Sequence, residues 1–146
     1  MIFYGIDNQI VDFRITNYEF LESSDEYDKN WLLIYLQVKS KLGNWQTTDP
    51  SLLTWEVGEL IDWFNTLLQN RQPNYINLNF TEPNLSLELL ENVSETAKFR
   101  IKFDSESKPQ SAKENNEYYV DCLADNLELK RIVNELEKEL EKFPQR

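Results

Sequence analysis

The chain of 146 residues contains no histidine, a single cysteine and three glycines. Without histidine there is no Ser-His or Cys-His nucleophile system, and the commonest general base and metal ligand are missing. Gly5, Gly43 and Gly58 stand far apart, so no phosphate-cradling loop of the Walker or dinucleotide type can be written. Cys122 has no partner for an internal disulfide, in keeping with a reducing compartment. It falls in an apolar run beside Asp121, the setting of a buried inert thiol rather than a nucleophile. No stretch approaches the ~20 apolar residues of a membrane helix. The opening Met1-Ile2-Phe3-Tyr4-Gly5-Ile6-Asp7 lacks the basic segment and long apolar run of a signal peptide. The expectation is a cytoplasmic protein with no cofactor and no metal.

Bases are also scarce, 15 against 26 acids, for a net charge of −11. Such a field repels nucleic acid and anionic lipid and favours basic partners, while also serving solubility. What the chain does have is apolar and aromatic matter, 40% and 13% of its residues, too much for a disordered chain. The length suits one domain spanning residues 1–146.

Patterning predicts an α+β fold: a mostly antiparallel sheet of about six to eight strands with two helices packed on it. Ile2, Tyr4 and Ile6, a turn at Asp7-Asn8, and Val11, Phe13 and Ile15 read as a hairpin with one wet face. After an acidic loop, Trp31 to Val38 is apolar at nearly every position and reads as a strand covered on both faces. Trp45 to Thr48 returns as a short strand, Asp49-Pro50 reads as a turn, and Thr54 as the cap of a first helix. Glu56 and Glu59 suit its positive end, and Val57, Leu60, Ile61, Phe64, Leu67 and Leu68 recur on one face. Tyr75 to Phe80, Leu85 to Leu90, Lys98 to Phe103 and Tyr118 to Leu123 read as further strands, with fourteen residues from Asp104 to Glu117 forming a long loop. Asp125 caps a second helix with apolar residues from Leu129 to Phe143, stopped by Pro144.

Chemistry is sparse. A carboxylate-only hydrolase would need two acids and nothing else, and Asp49 with Glu56 is the pair to name. The plainer roles are a turn for Asp49 and the helix dipole for Glu56. Asp25, Asp28 and Asn30 are spaced loosely like a calcium loop but lack its glycine and its later bidentate Glu. Lys98, Arg100 and Lys102 alternate with Phe99, Ile101 and Phe103. RNA-binding sheets expose their aromatics for stacking, whereas this alternation buries them, so neutralisation by Glu88, Glu91 or the acids of another strand is the expected role of the bases.

One set of residues carries a family resemblance. Trp45, Asp49-Pro50, Leu52-Leu53-Thr54-Trp55-Glu56, Leu60, Trp63-Phe64, the corner Phe80-Thr81-Glu82-Pro83-Asn84-Leu85 and a closing Glu-rich helix resemble the WapI-type immunity proteins, over the whole chain in order and length. Members of that family are small bacterial cytoplasmic proteins that accompany cell-wall-associated polymorphic toxins. The resemblance implies a protein without catalytic activity that binds the C-terminal toxic domain of its cognate secreted protein, commonly a nuclease, and so a basic protein domain as partner. The motif residues Trp45, Asp49, Pro50, Leu53, Thr54, Trp55, Glu56, Leu60, Trp63, Glu82, Pro83 and Asn84 are expected to determine the fold. The partner-binding candidates are Glu19, Glu22, Asp25, Glu26, Tyr27 and Asp28, an acidic segment with one aromatic of the kind that anchors interfaces. A scaffold or assembly subunit stays open as the alternative, with the hydrolase behind it.

Overall fold

Alternation of apolar and polar residues builds eight strands in the computed structural model, which describes residues 1–146. Strands β1 (Ile2–Tyr4), β2 (Ile10–Tyr18), β3 (Trp31–Ser40) and β4 (Gly43–Leu53) pair in that order in one antiparallel sheet. Strands β5 (Asn77–Asn79), β6 (Leu85–Val93), β7 (Thr96–Phe103) and β8 (Tyr118–Asp125) form a second antiparallel sheet in the same sequential order. Helix α1 (Thr54–Leu68) leads from the first sheet to the second, and α2 (Asn126–Lys142) follows β8 and packs against α1. The α+β class, the strand count and the two helices agree with the sequence. The strands divide into two sheets of four.

Both sheets and both helices contribute to one core cluster of 31 buried residues. Phe64 of α1 lies fully buried near its middle, with its ring 6.0 Å from that of Phe3 and 5.1 Å from that of Phe99. Each such side chain contributes roughly 1.5–3 kcal/mol by leaving water, so this ring trio ties α1 to both sheets. The sheets also meet at a backbone bridge between Gly5 and Cys122. A Cβ at Gly5 would lie 2.5 Å from Val120 Cγ1 and 2.9 Å from the Cβ of Gln9, so only glycine permits this approach.

Several sequence expectations are redirected by the geometry. In β1 the buried residue is Phe3, and Tyr4 is exposed, because the approach at Gly5 sets the phase of a strand only three residues long. Asp12, on the face expected to be wet, is buried and held by Arg14 and the N-terminal amine. Strand β3 buries Leu32, Ile34, Leu36 and Val38, while Trp31, Leu33, Tyr35 and Gln37 are only half-buried, so it is fully covered on one face. Asp49-Pro50 is not a turn. It lies within β4, opposite Ile34 and Leu33, and the adjacent Ser51 is the extra residue of a bulge. Strand β4 is a sheet edge, and edges and bulges are where a strand tolerates proline. Thr54 is the first residue of α1 and not its cap. Its hydroxyl donates to Asn30 Oδ1 at 3.0 Å.

Other expectations hold. Asp125 caps α2, its carboxylate accepting from the Glu128 amide at 2.8 Å. Arg100 pairs with Asp121 at 2.6 Å and Lys102 with Glu88 at 2.6 Å, while Phe99, Ile101 and Phe103 are buried. Cys122 is buried, and that burial, with Asp121 and Glu128 nearby, pushes its thiol up to about 12. No helix is long and apolar enough to cross a membrane.

Candidate functional site

The acidic segment between β2 and β3 is a built feature. Asn30, 0% exposed, closes it. The Asn30 amide nitrogen donates to the Glu26 carbonyl at 2.9 Å and the Arg146 carbonyl at 3.1 Å, and its oxygen accepts from Thr54 Oγ1 and from the Arg146 amide at 2.8 Å. Every hydrogen-bonding capacity of that side chain is used, so the loop, the helix start and Arg146 are tied to one another. Within the loop, Asp25 Oδ1 accepts from the amides of Tyr27 and Asp28 at 2.9 and 3.1 Å, and Glu26 pairs with Lys29 at 2.8 Å. Asp25 and Glu26 therefore shape the loop itself. Glu22 and Tyr27 stand in solvent, whereas Glu19 and Asp28 are half-buried. The Tyr27 ring packs edge-on against Trp55, with centroids 5.4 Å apart.

Asp28 faces a groove of about 500 Å³ that brings four separate chain segments together. Its walls carry Asp28, Asp49, Glu82 and Glu106, with Phe20 and Trp31 as the aromatic surface and Pro50 and Asn84 between them; no lysine or arginine lines it. Partial burial, followed by repulsion from Glu106 and Glu19, raises the Asp49 carboxyl above its ordinary value. The groove thus holds carboxylates that its own walls leave uncompensated, and a cation entering it lowers the free energy of the set.

Beneath the groove the polar groups are fully engaged. Asn84, buried, donates to Ser51 Oγ at 3.0 Å and accepts from the Glu106 amide at 3.2 Å, and its carbonyl receives the Asp104 amide at 2.9 Å and the Ser107 hydroxyl. This one side chain sews the bulge of β4 to the turn at 104–107. An Asp104–Lys108 ion pair at 2.7 Å and the Ser105 amide hold the Asp104 carboxyl below the usual carboxylate range. Glu56 is buried and accepts from the Leu53 amide at 2.8 Å and the Thr81 amide at 2.6 Å. Its oxygens are committed to backbone amides, and it does not line the groove beside Asp49, so the pair named for hydrolysis has no shared cleft.

The remaining motif residues differ in burial. Trp63 is buried and donates to the Tyr75 carbonyl at 2.9 Å, and Leu53 and Leu60 are buried in the interior. Trp45 donates to the Ser107 carbonyl at 2.8 Å with its ring against Phe103 and Tyr118. Trp55 is the exception, half-buried and facing Tyr27. Pro83 is exposed at the corner beside Glu82.

Of the six partner-binding candidates, the groove takes in Asp28 directly and Glu19 through its field at Asp49. It adds Asp49 and Glu82, known from the motif, and Phe20, Trp31 and Glu106, which no local pattern marks. Phe20, in the groove wall, and its neighbour Leu21 are 43% and 58% exposed. No group of three or more Asp, Glu, Cys or His side chains is placed to hold a metal ion.

No curated protein and no solved structure matches the chain. A family model described as the immunity protein WapI-like family matches residues 1–144.

Proposed function

Since the chain belongs to the WapI-like immunity protein family, whose members neutralise toxins by binding them, we propose that its partner is a basic toxin domain, a nuclease, captured in the cytoplasm of the cell that makes it. The family match along nearly the whole chain carries this reading. The acidic groove and the segment Glu19–Asp28 support it. A nuclease cleft is built to receive phosphates, and the unpaired carboxylates of Asp28, Asp49, Glu82 and Glu106 present negative charge along one groove. Close charge pairs in one nuclease–inhibitor complex couple by about 1.5–7 kcal/mol.

In this reading Tyr27, Phe20 and Trp31 supply the apolar contacts, while Glu19, Glu22, Asp25, Glu26 and Asp28 steer the approach. The net charge of −11 extends that steering beyond the contact surface and makes association fall as salt rises. Co-expression tests the function. The toxin domain encoded beside this chain should arrest growth alone and lose that effect when the chain is co-produced; equal killing with and without it refutes the proposal.

A further inference from the structure

A second depression, of about 850 Å³, lies between α1 and α2. Half-buried Leu140 and Trp55 give it an apolar surface over the buried Ile61, while Glu59, Asp62, Glu137 and Glu141 line it without a lysine or arginine. None of those four acids takes part in an ion pair. None of the four bases of α2 lines it, and Lys130 and Lys138 are in no ion pair. Arg131 bonds Glu128 and Glu135, Lys142 bonds Glu139, and Lys138 lines a separate hollow beside Met1.

Gly58 sits inside α1 and lines the same depression. After proline, glycine is the residue a helix interior tolerates least. Its usual excuses are missing here, since its φ is not positive and a Cβ would meet no atom within 4 Å. Nothing inside this chain requires the bare backbone, and the space it leaves opens onto the groove. The acidic loop connects this groove to the first one, because Tyr27 packs on Trp55 while its neighbour Asp28 lines the other.

We infer that the groove between α1 and α2 receives a basic amphipathic segment of the same toxin domain. Its apolar side rests on Leu140 and Trp55, its lysines or arginines lie among Glu59, Asp62, Glu137 and Glu141, and it approaches the backbone at Gly58. A second copy of this chain meeting it groove to groove would bring carboxylates against carboxylates, and the unpaired acids favour a basic occupant. The inference rests on the toxin-binding reading and adds a second contact surface to it.

The test measures affinity for the toxin domain encoded beside this chain, together with melting temperature, for the wild type, Gly58→Ala and the double variant Glu59→Lys/Glu137→Lys. Gly58→Ala should raise Tm by about 2–4 °C, because alanine favours the helix, and weaken binding about 10-fold, because the added methyl enters the contact. The charge reversals should slow association about 10-fold and flatten its salt dependence. Unchanged affinity and association rate in both variants, with a wild type that binds, overturns the groove and leaves the toxin-binding reading standing. A wild type that does not bind overturns both.

Discussion

Two sets of polar side chains lie close together near the start of α1, and they are arranged in opposite ways. Asn30, Glu56 and Asn84 are buried with their hydrogen-bonding groups engaged by neighbours. Asp28, Asp49, Glu82 and Glu106 line an open groove with no base among them, and Asp49 is made less acidic by its surroundings. The first arrangement fixes geometry, since an unmade bond at a buried polar group is expensive. The second leaves an electrostatic deficit that a basic partner can fill. Polar residues that hold a fold are recognisable by completeness, and those available to a partner by its lack.

The largest effect should come from breaking the complete set. Glu56→Ala removes an acceptor shared by two buried or half-buried amides and should lower stability by about 3 kcal/mol, or roughly 10 °C in Tm. Asn84→Ala should cost about 2 kcal/mol and loosen the 104–107 turn. Thermal melting checks both, and a loss below about 0.5 kcal/mol in either would remove the distinction between the sets. Next, Asp28→Lys with Glu106→Lys should leave stability within about 0.5 kcal/mol yet slow toxin association 10-fold or more, read by stopped-flow mixing at low salt.

The smallest effect concerns Asp49 alone. A carboxyl whose folded value is raised binds its proton more readily in the folded state than in the unfolded one, so its ionisation costs stability at neutral pH and that cost fades as pH falls through the raised value. Asp49→Asn should therefore be slightly more stable than the wild type at pH 7, with the gap closing as the solution is acidified into the carboxylate range. Denaturant titrations at several pH values check this, and a variant less stable at pH 7 would place Asp49 with the engaged set.

Much of the fold was legible because periodicity survives without knowledge of partners. The face Val57, Leu60, Ile61, Phe64 and Leu67, the alternation of β7 and the Asp125 cap depend on local spacing alone. Asp49-Pro50 was misread because proline marks turns in a sequence, whereas what permits it here is the edge position of β4 and a bulge at Ser51, both set by pairing with β3. Thr54 was misread as a cap because its hydroxyl bonds Asn30, twenty-four residues earlier. The groove was only partly legible. Asp28 stood out in an acidic run, but Glu106 belongs to a loop without a large apolar side chain and joins the groove through the Asn84 bond. No spacing rule relates residues 28, 49, 82 and 106.

The seam between the sheets gives the molecule a built-in clock. Cys122 lies in the strand bridged to Gly5 and is buried, and at neutral pH its thiol is almost wholly protonated, so a thiol reagent reacts only during excursions that expose it. Labelling kinetics would then report how often those excursions occur across the population. If a toxin grips the acidic face alone, the count should hardly change, whereas a partner that stiffens the whole structure would slow the clock.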